Sequence, residues 1–155
     1  MLKIDQTAPD FILPGDNGTE ICLTKLRPAP VVLFFYPRDD TPGCTLEAGD
    51  FTRLLPEFKA AGAGVFGISK DSIAKHCKFR DKHGLAVPLL SDADGDTCEN
   101  YGVWVEKNMY GKTFMGISRT TILIDGAGKI ARIWPKVKVD GHAQEVLSAL
   151  QDLPV

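Results

Sequence analysis

The stretch Asp39–Gly49, DDTPGCTLEAG, sets a cysteine, Cys44, directly behind Thr-Pro-Gly. Proline is favoured at the first position of a helix and threonine is a good N-cap, so Thr41 and Pro42 predict a helix start with Cys44 at about its third residue. The N–H groups of a first turn have no partners inside the helix, and the dipole there favours negative charge. A thiol so placed tends towards thiolate, which makes Cys44 a candidate nucleophile. A small buried hydrophobe that begins a helix would read the same way from these residues alone.

Elements that could position such a thiol flank it on both sides. Upstream, PVVLFFYP (Pro30–Pro37) is a continuous apolar and β-branched run with no polar face, which suits a strand buried on both sides of a sheet covered by helices. Cys44 thus follows the C-terminal end of a central strand across a short loop, where open α/β sheets tend to place ligand sites. Downstream, Leu46, Phe51, Leu54, Leu55 and Phe58 keep a roughly helical spacing; Pro56 is expected to kink or end the regular helix, and Gly62 and Gly64 to stop it. GVFGIS reads as a second buried strand, DSIAKHCKFRDKHG as a helix with Asp71 as N-cap and Gly84 as stop, and VPLLSD as short and extended. A short helix is expected over 94–101, a hairpin from RTTILID and KIARIWP around DGAGK, and an amphipathic helix over 141–153. At the start, an extended arm leads through the turn PGDNGT into ICLTKL, an alternating strand, so the chain opens on a hairpin. Strand and helix in alternation are an α/β signature.

With 155 residues, 44% hydrophobic and 25% charged, the chain suits one domain over 1–155 that can bury a core. A net charge of −2 and a pI near 5.9 offer no broad basic field, so nucleic acid and anionic membranes are not expected as partners. Neither a signal-peptide core nor an apolar run of spanning length occurs, and a cytoplasmic location is expected. The cysteines, Cys22, Cys44, Cys77 and Cys98, are widely and irregularly spaced, which suits reduced or reactive thiols better than a secreted disulfide framework.

YPRDDTPGCTLE resembles the active-site segment of the peroxiredoxins, most closely the peroxiredoxin Q or bacterioferritin-comigratory-protein branch. The likeness continues through APDFILPGDNG, LPEFKAAGAGVFGISKDS, PLLSDADG, YGVW, GISRTTILID and KVKVDGH. It implies a thioredoxin-like fold, a central mixed sheet flanked by helices with an N-terminal hairpin extension, and thiol-dependent reduction of hydrogen peroxide and organic hydroperoxides. No cofactor or metal is implied; the partners would be a peroxide and thioredoxin or a similar thiol reductant, and the branch suggests a monomer. The residues carried over are Pro37, Thr41, Cys44 and Arg119, with Gly43 and Glu47 at the substrate pocket.

Such chemistry asks for more than a thiolate. Lowering a thiol pKa from about 8.5 to about 6 raises its thiolate fraction at neutral pH about 30-fold, or ~2 kcal/mol. The remaining acceleration has to come from fixed donors aimed at the peroxide oxygens, onto which charge moves as the O–O bond breaks. The resemblance assigns this to the guanidinium of Arg119, otherwise an ordinary strand-end arginine, and to the Thr41 hydroxyl and the Gly43 and Cys44 amides. Pro37 would shield the thiolate or simply end the strand. Glu47 would order the arginine, or only favour the first-turn dipole.

Many members of the branch carry a resolving cysteine five residues after the peroxidatic one, and here that position is Gly49. Others place it in the following helix, where this chain has Cys77, although the family register falls nearer Arg80, about one turn away. Cys77 is the expected resolving thiol, Cys98 the second candidate and Cys22 the third, and a one-cysteine mechanism with an external thiol is the competing scheme. A disulfide needs Cα atoms within roughly 7 Å, so local unfolding around Cys44 is expected. A thioredoxin-like disulfide reductase would need Cys-x-x-Cys, and residue 47 is glutamate. A metal site is disfavoured because His76 and His83 lie roughly 10.5 Å apart along one helix; these two and His142 are expected at the surface. A non-catalytic binding domain would keep its activity when Cys44 is changed to serine.

Overall fold

The computed structural model describes residues 2–154. The run that follows Pro30 has no polar face because it has no exposed face: every residue from Val31 to Tyr36 is buried. In chain order the elements are β1 (Ile12–Pro14), β2 (Glu20–Cys22), β3 (Val31–Phe35), α1 (Pro42–Ala60), β4 (Gly64–Ser69), α2 (Ile73–His83) and β5 (Leu89–Ser91). There follow α3 (Thr97–Asn100), β6 (Trp104–Met109), β7 (Lys112–Ile117), β8 (Thr120–Ile124), β9 (Ile130–Trp134) and α4 (His142–Gln151). Five strands make one mixed sheet in the order β5-β4-β3-β8-β9, with β3, β4 and β5 parallel and β8 and β9 antiparallel to their neighbours. β1 and β2 pair as the expected N-terminal hairpin.

Side-chain alternation along β3 divides the core between two layers. Val32, Phe34 and Tyr36 pack with Phe51 and Phe58 of α1, Phe79 of α2 and Val146 and Leu150 of α4. Val31, Leu33 and Phe35 face Phe11, Leu13, Leu23, Cys98, Tyr101 and Ile117. The rings of Phe34 and Phe51 stack at 4.5 Å and 12°, fixing α1 against the strand that leads into it.

Several local expectations need correction. ICLTKL is a strand only to Cys22; Leu23–Leu26 turn as a 3-10 segment with Leu23 buried. Pro56 does not end α1, which runs on to Ala60, because the proline ring lies on the exposed side while Leu54, Leu55 and Phe58 hold the turn against the core. The N-cap of α2 is Ser72, whose hydroxyl accepts from the Lys75 amide at 3.2 Å, and Asp71 instead accepts from the Asp39 amide and the Ser69 hydroxyl. The hairpin β6–β7 has no counterpart in the sequence reading; its two-residue turn, Tyr110-Gly111, has both φ angles positive (54° and 77°), as primed hairpin turns require. His76 and His142 are buried rather than superficial.

Candidate active site

β3 and α1 meet at the short loop Tyr36–Thr41, which delivers Cys44 into the first turn of α1 with its side chain almost fully enclosed. Thr41 stands at the N-cap in extended conformation, but its side chain makes no capping bond. Its hydroxyl donates to the Arg38 carbonyl at 2.9 Å, and only its carbonyl serves the helix, accepting from the Thr45 amide at 2.8 Å. The expected side-chain cap is therefore absent. Proline at the first helical position supplies the fixed φ in its place.

Arg119, in the two-residue link between β7 and β8, reaches across to this turn. Its Nη2 donates to Cys44 Sγ at 3.4 Å and its Nη1 to Glu47 Oε1 at 2.6 Å. Burial acts to lower the arginine pKa, but the charges of Glu47 and Cys44 outweigh it and hold the guanidinium above its ordinary value. Glu47 is 1% exposed, and burial pushes its carboxyl up to about 7 against the opposing pull of Arg119. Its second oxygen, Oε2, has no hydrogen-bond partner among the described residues. Gly43 leaves the space the guanidinium needs: a Cβ there would lie 3.1 Å from Arg119 Nη2. Pro37 closes the strand beside these groups, in a cleft with Trp104, Lys107, Phe114 and Met115. Pro37, Thr41, Gly43, Cys44, Glu47 and Arg119 thus share one end of the sheet.

Two further groups at this end were not read as site residues in the sequence. Lys107 on β6 is held below the ordinary lysine value by burial and by Arg119, with Cys44 acting oppositely. His142, whose Nε2 lies 2.8 Å from the Thr121 hydroxyl, stands edge-on to Phe51 and Trp134; burial, then Arg119, lowers its pKa against Glu145. Lys107 lies in no local motif, and His142 ends the segment KVKVDGH but was expected at the surface, so only the three-dimensional fold brings the two in.

The other thiols divide by layer. Cys98 sits in the layer of Phe35 and Tyr101, across the sheet from Cys44, and burial together with Asp92 pushes its thiol far above the ordinary range. Cys22 ends β2, and the next residue, Leu23, belongs to that same far layer. Cys77 is half-buried on α2, whose Phe79 packs in the layer that contains Cys44. The Cys77 thiol donates to the Asp16 carbonyl at 3.4 Å, and Arg80 Nη1 donates to the same oxygen at 2.8 Å. The one-turn offset between Cys77 and Arg80 therefore leaves both side chains on one helix face and one acceptor. Gly49 gives Cys44 no partner on its own helix. Among the described residues, no group of three or more His, Cys, Asp or Glu is placed to hold a metal, and no helix is long and apolar enough to cross a membrane.

Comparison with known proteins points one way. Residues 4–133 match the model of the AhpC/TSA family. The curated peroxiredoxin Bcp of Xanthomonas campestris is 45% identical over 151 residues, covering 97% of this chain and 94% of the relative. A solved structure of the Xanthomonas campestris bacterioferritin comigratory protein, described for its alkyl peroxide reduction activity, superposes with a TM-score of 0.88 at 44% identity, covering 97% of this chain and 96% of the other. A peroxiredoxin Q mutant from Xylella fastidiosa gives a TM-score of 0.92 at 38% identity over 97% of this chain and 96% of its own.

Proposed function

Because this chain belongs to the AhpC/TSA family, as a thioredoxin-fold peroxiredoxin of the Bcp or Q type and hence a thiol-dependent peroxidase, we propose that Cys44 is its peroxidatic thiol and Cys77 the thiol that resolves it. The observation that carries this reading is the Arg119 guanidinium shared between Cys44 Sγ and Glu47 Oε1. A cation within reach of the sulfur favours thiolate, and its remaining donor directions serve an oxygen bound beside the sulfur.

In the first step the Cys44 thiolate attacks one peroxide oxygen. An S–O bond forms, the O–O bond breaks, and the departing alkoxide or hydroxide takes up a proton, leaving a sulfenic acid. Negative charge flows from sulfur to the departing oxygen, so donors that face both atoms stabilise the transition state more than the ground state; a single such donor contributes about 10²–10³-fold in comparable sites. Arg119 supplies the charged donors. Thr41 turns its hydroxyl from the Arg38 carbonyl to the peroxide, and the Gly43 and Cys44 amides, without helical partners, complete the set. Pro37 bars water from the sulfur, and Glu47 fixes the arginine.

In the second step the Cys77 sulfur attacks the sulfenic sulfur, the S–O bond breaks, the departing hydroxide takes up the proton given up by the Cys77 thiol and leaves as water, and a Cys44–Cys77 disulfide forms. Thioredoxin or a similar thiol then reduces it by exchange. The shared layer of α1 and α2 supports this pairing; Cys98 lies in the far layer and Cys22 stands beside Leu23 of that layer, which argues against both. The Xanthomonas relative's alkyl peroxide activity supports organic hydroperoxides beside hydrogen peroxide as substrates.

The test is the mass of the fully reduced protein after one equivalent of hydrogen peroxide, followed by non-reducing peptide mapping. Loss of two hydrogens with Cys44 linked to Cys77 is expected. Added oxygen confined to Cys44 would replace the second step by direct reduction from an external thiol, and an unreacted Cys44 would overturn the assignment altogether.

A further inference from the structure

The loop between β3 and α1 is tied to α2 through a buried chain of polar groups. The Tyr36 hydroxyl donates to Asp39 Oδ1 at 2.6 Å, Asp39 Oδ2 lies 2.6 Å from His76 Nδ1, and His76 Nε2 lies 2.9 Å from the Leu90 carbonyl. Tyr36 and His76 are fully buried and the Asp39 side chain is 5% exposed. Both ring nitrogens of His76 are thus engaged, one by the Asp39 carboxyl group and one by the Leu90 carbonyl, and the tyrosine is a second donor to that carboxyl group. The Asp39 amide is held too, donating to Asp71 Oδ2 at 2.7 Å. Further out, Asp40, in left-handed conformation (φ 57°), bonds Lys82 and His83 at 2.8 and 2.7 Å; these contacts are exposed and contribute little.

The ends of this chain matter more than its middle. Asp39 precedes Cys44 by five residues on the loop that carries Pro37 and Thr41, and His76 is the residue before Cys77. The two segments that must move for the thiols to meet are thus the two that the Asp39–His76 contact joins. A buried polar group left without its partner is costly, so the loop leaves α2 only when this contact separates and hydrates.

We propose that Tyr36, Asp39 and His76 form a latch that sets how long a newly made Cys44 sulfenic acid stays in the peroxide pocket before it reaches Cys77, an inference that rests on the pairing given above. Latched, the sulfenic acid meets a second peroxide, which transfers one oxygen to give the sulfinic acid and leaves as alcohol or water. Unlatched, it condenses with the Cys77 thiol, releasing water. Asp39 and His76 are positioning residues in this scheme, acting through the loop rather than on the peroxide.

The variants are Asp39→Asn and His76→Asn, with Tyr36→Phe as a milder change that keeps the ring packed between Phe34 and Phe79. Two readouts are taken: amide hydrogen exchange of residues 38–46 in the reduced protein, and the hydrogen peroxide concentration that converts half of Cys44 to sulfinic acid during turnover. Both are expected to rise about tenfold, the first because the loop opens more often and the second because condensation gains on overoxidation. Unchanged exchange at 38–46, or faster exchange with an unchanged half-inactivating concentration, overturns the latch. Where the polar variants also speed exchange in β3 and β8, they have lost global stability and Tyr36→Phe decides. In a parent protein that forms no Cys44–Cys77 bond, the pairing itself has failed, and exchange at 38–46 alone decides the latch.

Discussion

Glu47→Gln removes a charge from the most enclosed carboxylate of the site while keeping its shape. In the folded protein the Glu47 carboxyl is raised to about 7 from an ordinary value of 4.5, so between these values the native state holds a proton that the unfolded chain has released. Stability follows the difference in bound protons, unfolded minus native, and that difference is negative here. This group's contribution is therefore complete below pH 4.5 and lost as pH rises through 7. The interval is about 2.5 pH units, and at 1.36 kcal/mol per unit the loss is about 3 kcal/mol. His142 acts in the opposite sense, because its lowered pKa adds stability as pH rises towards 6.5. Comparison with the variant cancels that term.

The assay is urea unfolding of the reduced parent and of Glu47→Gln at pH 4.5 and pH 8, read as a difference of differences. The parent should lose about 3 kcal/mol more than the variant over this range. A double difference below about 1 kcal/mol, or one of opposite sign, would refute the reasoning that burial dominates Arg119 at this carboxylate.

Gly43→Ala places a methyl 3.1 Å from Arg119 Nη2, where the end of a flexible side chain can give way. Alanine is the better helix former by up to ~1 kcal/mol, so urea unfolding should show no loss of stability, whereas stopped-flow kinetics should show the rate with hydrogen peroxide falling about tenfold as the guanidinium leaves the sulfur. Cys98→Ala should lower stability by about 1–2 kcal/mol through the cavity it leaves in the far layer. Peptide mapping after peroxide should find the Cys44–Cys77 disulfide formed at the same rate; a slower or missing bond would favour Cys98, the second candidate, as the resolving thiol.

Legibility in the sequence followed range. The buried strands, the helix start at Pro42 and the β8–β9 hairpin rest on neighbouring residues, and these were readable. The hairpin β6–β7 was not, because most of its residues are half or fully exposed on both faces, leaving no alternation, and its turn is Tyr110-Gly111 rather than an asparagine-glycine pair. Burial of His76 was equally hidden: it sits among lysines on α2, and its partner Asp39 is 37 residues upstream. Glu47 left two roles open in the sequence, ordering the arginine or only favouring the first-turn dipole, and Arg119, 72 residues away, lies 2.6 Å from it. The segment around Cys44 was legible as a pattern, while the groups that surround it were contributed by elements distant in the chain.

The placement of Cys44 and Cys77 in one layer has an origin in chirality. The steps from β3 through α1 to β4 and from β4 through α2 to β5 are consecutive parallel crossovers that advance the same way across the sheet. Crossovers between parallel strands are right-handed in about 98% of cases, an outcome of the twist that L-residues impose on strands. Two right-handed steps in one direction must set both helices on the same side. A crossover of opposite hand at either step would have put the sheet between the two helices, and the two sulfurs could not have met without unfolding the core. Which thiols of this chain share a side of the sheet is decided by the handedness of its amino acids before any side chain at the site takes part.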